Sequence, residues 1–184
     1  MKRILFVTSL CLLAMCSLTS CMRKVGYISA DSTMPIVNPA EEAEANKAVT
    51  RNFYNVVVNG RKLDSLGKFL APTFVDHNAD LPPFGRGIPE VKESYSEWFH
   101  FMSDAHITVD SMTAEGDLIS AVVTMSGTMT DSLDGAPPNH KFAKWTGVDV
   151  RRYKDRMCTE RWGAFNKLGM LQQLQIFPGP PTGE

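Results

Sequence analysis

Three residues of this chain have the types and settings for proton-transfer or oxyanion chemistry: His77, Asp149 and Asn166. His77 lies in Phe74-Val75-Asp76-His77-Asn78, where Asp76 and Asn78 could orient an imidazole suited to proton transfer near neutral pH. The alternative for His77 is a hydrogen-bonded histidine that shapes a loop entry. Strand alternation puts Asp149 on one face with Trp145, Gly147 and Arg151. Against an apolar wall its carboxyl could become a base; paired with Arg151 or Arg161 it would stay ionised and structural. Glu160 faces the same choice, on a strand face with Cys158 and Trp162. Asn166 stands where the strand Thr159–Phe165 gives way to a short helix carrying Leu168, Met170, Leu171 and Leu174 on one side. Cys158 has no histidine beside it in sequence, and a buried thiol is ordinarily inert. His100, His106 and His140 have no metal-ligand spacing with His77, and neither H-E-x-x-H nor paired cysteines occur, so no metal is expected. With no Gly-rich phosphate loop, nucleophile elbow or dinucleotide fingerprint, no cofactor is expected either.

The elements that must position these residues follow from periodicity. From Glu41 the pattern is helical, with Val49, Phe53, Val56 and Val57 on one side and Asn59-Gly60 as a stop. A second short helix fits Leu63 to Leu70 and ends at Ala71-Pro72. The loop Leu81-Pro-Pro-Phe-Gly-Arg-Gly-Ile-Pro leads to a third helix, whose Val91, Tyr95, Trp98, Phe99 and Met102 repeat at helical spacing. Strands follow: Ile107 to Asp110, Ile119 to Thr130, Lys141 to Tyr153 and Arg156 to Phe165, separated by turn residues and by the loop Asp131–Asn139. Three helices and then a run of antiparallel strands predict an α+β domain. Trp98, Phe101, Trp145, Trp162, Phe165 and Met170 could wall an apolar cavity, or could be plain core.

The 184 residues, 43% hydrophobic and 21% charged, allow one domain behind a processed N-terminus. Met1-Lys2-Arg3 is a basic start, Ile4 to Met15 an apolar run too short to span a bilayer, and Leu18-Thr19-Ser20-Cys21 a small-residue cleavage site. Residues 1–20 therefore read as a signal peptide, and the Leu-x-Ser-Cys ending resembles a bacterial lipobox that makes Cys21 a lipidation site. The expected location is the cell envelope, and Met22 after the cysteine resembles an outer-membrane sorting signal. Removal of Lys2 and Arg3 from the 19 basic residues leaves 17 against 20 acidic ones, a net charge of −3, which argues against nucleic acid as a partner. Residues 21–40 read as the lipidated cysteine and a tether, 41–176 as the domain and 177–184 as a disordered tail.

The closing stretch Glu160-Arg161-Trp162…Asn166…Leu168-Gly169…Gln172-Gln173 resembles the E-H-W-x-x-x-D-x-L-G-L-x-Q-Q ending of the SnoaL-like polyketide cyclase (ester cyclase) group of the NTF2-like superfamily. Asn46–Asn55, Leu70–Asn78, Gly87–Lys92 and Trp145–Val150 are similar to four further family segments in the same order. The resemblance implies helices wrapped on a curved antiparallel sheet to form a cone with an apolar pocket, and often a homodimer through the outer sheet face. Its acid–base aspartate corresponds to Asn166 here. An amide does not exchange a proton near neutral pH, so that role does not carry over, although its N–H could stabilise an enolate oxygen with His77 as base. Two expectations follow. One is an envelope protein binding a small apolar or aromatic molecule through Trp98, Phe101, Trp145, Glu160, Trp162 and Met170, with or without cyclase- or isomerase-type turnover. The other is a non-catalytic module whose sheet binds a protein partner or itself.

Overall fold

A computed structural model describes residues 38–77, 87–133 and 135–177. The expected signal peptide, Cys21, most of the expected tether, Asn78, most of the Leu81–Pro89 loop and the residues after Phe177 lie outside the described residues.

Helix α1 (Pro39–Phe53) begins where Asn38 accepts a hydrogen bond from the Ala40 N–H and Pro39 occupies the first turn. Asn46, Thr50 and Phe53 form its buried stripe. The helix then widens into a π-helical stretch, Tyr54–Asn59, which buries Tyr54, Val57 and Val58. Gly60 ends it because space, not backbone conformation, requires glycine: a Cβ there would stand 2.6 Å from the Val56 carbonyl oxygen. A 3₁₀ turn, Leu63–Lys68, leads to strand β1 (Leu70–Asp76), and α2 spans Ile88–Phe101. Strands β2 (His106–Glu115), β3 (Leu118–Thr128), β4 (Phe142–Lys154) and β5 (Met157–Phe165) precede the short helix α3 (Lys167–Gln173). No helix among the described residues is long and apolar enough to cross a membrane.

The five strands form one curved, open sheet in the order β1-β5-β4-β3-β2. This is the α+β, NTF2-like arrangement expected, with one difference. Strand β1 runs parallel to β5, so the sheet is mixed rather than wholly antiparallel. Its sequence reads as a helix end because Pro72 falls inside it; an edge strand tolerates proline, since one side of its backbone needs no partner. The β4–β5 turn uses Asp155 and Arg156, both left-handed at φ 52° and 60°, a pattern whose twist suits a tight hairpin.

Alternation divides the sheet into two faces. Ile119, Ala121, Val123, Ala143, Trp145 and Tyr153 are buried on the inner face against Phe53, Val57 and Val58. On the outer face Val122 and Val148 pair across β3 and β4 and stay 42% and 44% exposed. One irregularity matters for the site. Tyr153 pairs with Cys158 and Arg152 with Glu160, so Thr159 is an extra residue in β5. The bulge puts Cys158 in the buried core and Glu160 on the other face, which separates two residues that simple alternation groups together. Beyond β5, α3 folds back on β4: the Gln173 amide accepts from the Lys144 N–H and donates to the Lys144 carbonyl, both at 2.9 Å.

Candidate functional site

The inner face concentrates charge where the sheet meets the helices. Asp149 of β4 is 1% exposed and receives three donors. Arg151 Nε reaches Oδ2 at 2.8 Å, Arg161 Nε reaches Oδ1 at 2.7 Å, and the Tyr54 hydroxyl makes a short bond to Oδ2. Arg161 also donates through Nη1 to Asp76 of β1 at 2.7 Å. Arg151 is itself buried, with its guanidinium 4.0 Å from the Phe53 ring centroid. Two guanidiniums thus face two carboxylates. Burial alone would raise the Asp149 pKa, but Arg151, Arg161 and the Tyr54 hydroxyl outweigh it and hold it at about 2. Burial would lower the pKa of Arg161, and Asp149, Tyr95 and Asp76 instead raise it. Both stay charged at neutral pH. Burial, followed by the Asp149 charge, raises the Tyr54 hydroxyl well above its ordinary value.

Apolar rings flank this network. Trp98 of α2 meets Trp145 of β4 edge to face, with centroids 6.3 Å apart, and Tyr95 at 6.2 Å. Phe165 lies over Gly147 and Gly163, where an added Cβ would come within 2.2 and 2.9 Å of its ring. Those glycines make room for the aromatic ring. The Trp98 indole N–H is buried and has no hydrogen-bond acceptor among the described residues. Such a group costs free energy unless something accepts from it.

The sequence-derived candidates divide between the faces. Asp149 and Trp145 lie on the inner face of β4, Trp98 meets Trp145 there, and Asp149 takes the ion-paired form of its two readings. His77, Glu160 and Trp162 come together on the outer face, beside the edge of β1. His77 Nε2 is 2.9 Å from Glu160 Oε2, and its ring stacks on Trp162 at 4.7 Å and 9°. Glu160, not Asp76, lies beside the imidazole, because Asp76 points to the opposite face. Asn166 is exposed; its Oδ1 accepts from the Gly169 N–H at 2.9 Å, capping α3. Met170 is buried in the core, and Phe101 packs on it while its carbonyl accepts from the Thr130 N–H. The six ligand-wall residues therefore do not share one surface. Tyr54 and Tyr95 are absent from the sequence-derived set. Tyr54 comes inward through the π-helical widening, which leaves no periodic signal. Among the described residues no three His, Cys, Asp or Glu side chains group as a metal site.

A family model described as SnoaL-like polyketide cyclase matches residues 48–174. None of the curated proteins compared matches the chain. Among solved structures, AclR from Streptomyces galilaeus is 21% identical at a TM-score of 0.67, over 79% of this chain and 87% of that one. TsrD from Streptomyces laurentii is 22% identical at 0.65, over 73% and 97%. IdmH from Streptomyces antibioticus is 23% identical at 0.64, over 71% and 98%. At these identities the likeness shows a shared fold.

Proposed function

This chain belongs to the SnoaL-like polyketide cyclase family, and on that premise we propose that it binds a small, largely apolar or aromatic molecule against the inner face of its sheet. The observation that carries this reading is the buried, acceptor-less indole N–H of Trp98 among the rings of Tyr95 and Trp145. A flat ligand carrying one acceptor atom satisfies that donor and gains burial against the rings. Native mass spectrometry after incubation with an envelope extract tests this: a retained small molecule lost on Trp98→Phe, which keeps a ring and removes the donor, supports it. Equal retention by the variant refutes it.

The same proposal places the protein at the cell envelope, anchored by lipid on Cys21, from the basic start, apolar run and Leu-x-Ser-Cys ending of its N-terminus. Incorporation of labelled fatty acid into the wild type, abolished by Cys21→Ser, is the expected result; unlabelled wild type overturns it.

Binding is favoured over cyclase-type turnover by the state of Asp149. A carboxyl held at about 2 is a weak proton acceptor at neutral pH. The imidazole of His77 and the amide of Asn166 could supply a base and a donor, but His77 lies across the sheet from Trp98. A second reading, self-association through the sheet, is favoured by the exposed neighbours Val122 and Val148. Light scattering of Val148→Lys tests it: a dimer that the lysine dissociates supports it, and a wild-type monomer removes it.

A further inference from the structure

The end of β1 is one of the least secured segments of the sheet. It is an edge strand, it contains Pro72, and its pairing with β5 is interrupted between Leu70 and Val75. Only Val75↔Glu160 and Asp76↔Arg161 resume the ladder before the strand ends. Three contacts then fix His77: its N–H donates to the Arg161 carbonyl at 2.7 Å, its Nε2 meets Glu160 Oε2, and its ring stacks on Trp162. Asp76 and His77 are consecutive residues of extended backbone, so their side chains leave on opposite faces. Asp76 goes inward to Arg161; His77 goes outward to Glu160 and Trp162. One peptide unit joins the two.

We propose that His77 is a positioning residue whose charge state, set on the outer face, governs how tightly the end of β1 presents Asp76 to Arg161 on the inner face. The groups around the imidazole define the sign. From β5, Glu160 is a carboxylate at hydrogen-bond distance and Trp162 offers its π face, and a charged ring is held by both more strongly than a neutral one. From β4, Arg152 lies 3.6 Å from the other Glu160 oxygen and 5.6 Å over Trp162, so it competes for the same partners. Asp117, in the β2–β3 turn, is 3.7 Å from Arg152 and offsets part of its charge. Arg161 meets His77 through its backbone carbonyl, with its guanidinium on the other face. Imidazoles ordinarily change charge between about pH 5 and 8. The clamp is tight when the ring is charged and loosens as it loses its proton. The Asp76–Arg161 pair, and with it the charge balance beside the aromatic wall, then follows the charge of His77 on the opposite face.

The functional consequence rests on the inner face being the binding surface, whereas the coupling itself does not, so it is tested in the ligand-free, full-length chain. Nuclear magnetic resonance follows the His77 Cε1–H and the Arg161 Nη–H signals from pH 5 to 8 in the wild type, His77→Gln and Glu160→Gln. In the wild type the Arg161 signals are expected to shift with the midpoint of His77. They should become flat in His77→Gln, which keeps a hydrogen-bond donor and removes the titration. In Glu160→Gln the His77 signal still titrates and the Arg161 response shrinks. Arg161 signals that stay constant while His77 titrates overturn the proposal, as does a response that survives intact in either variant. Failure here leaves the ligand reading standing, and equal ligand retention by Trp98→Phe leaves this coupling standing.

Discussion

The two charged clusters of this protein both pair carboxylates with basic side chains, in opposite solvation. On the inner face Asp149, Arg151, Arg161 and Asp76 are held out of water, Asp149 at 0% and Arg161 at 14% side-chain exposure. On the outer face His77 and Glu160 keep 37% and 31%. Burial makes the first cluster costly to assemble and costlier to break, because removing one partner strands a charge in low dielectric. Water and mobile ions screen the second, so its bonds form and break cheaply. The difference teaches a division of labour: the buried cluster sets an electrostatic background, and the half-exposed one can answer to solvent.

The harshest test of that contrast is Asp149→Ala, which leaves Arg151 and Arg161 without their shared carboxylate. Urea denaturation should show a loss of about 3–5 kcal/mol. A loss below ~1 kcal/mol would make the two clusters energetically alike. Next comes acid. Asp149 has a lowered folded-state pKa, so its stabilisation is complete above the ordinary carboxyl value and fades as pH falls toward about 2. Between about pH 4 and 2 this group alone should remove about 2 kcal/mol, a slope that Asp149→Asn lacks when stability is measured across that range. Smaller still is Asn166→Ala. As the cap of α3 its removal should cost about 1 kcal/mol and leave retention of a small molecule unchanged, measured by thermal melting and native mass spectrometry. The mildest change is His77→Gln at neutral pH, where loss of a half-exposed pair should cost about 0–1 kcal/mol by urea denaturation.

Much of the architecture is legible in the sequence because it rests on local rules. The stripe Val91, Tyr95, Trp98, Phe99 and Met102 names α2, and alternation from Ile119 to Met125 and from Trp145 to Arg151 names the inner face of β3 and β4. The same alternation placed Asp149 beside Arg151, and the alternative in which arginines keep it ionised is the one the geometry shows. What stays hidden depends on single-residue departures from period. The π-helical widening brings in Tyr54, and the bulge at Thr159 separates Cys158 from Glu160. The parallel pairing of β1 is a long-range contact masked by Pro72, and it decides which face Asp76 and His77 take. The pocket set mixed faces for this reason: Trp98 and Trp162 both look like wall aromatics, and only the register of β5 tells that the sheet lies between them.

The fold-back of α3 has a consequence for how copies of this chain coexist at high concentration. Strand β5 stops pairing at Phe165, opposite Gly147, and the Asn166 N–H closes on the Thr146 carbonyl at 3.0 Å, so among the described residues the part of β4 before Thr146 has no neighbouring strand on that side. A bare stretch of that kind is a template for another chain's strand. The Gln173 amide, bonded to both the N–H and the carbonyl of Lys144, imitates one rung of a neighbouring strand and fills that vacancy from within. A rung occupied in this way is not open to a strand from another copy. Gln173→Leu, followed by turbidity on mild heating, would show that protection failing as faster aggregation.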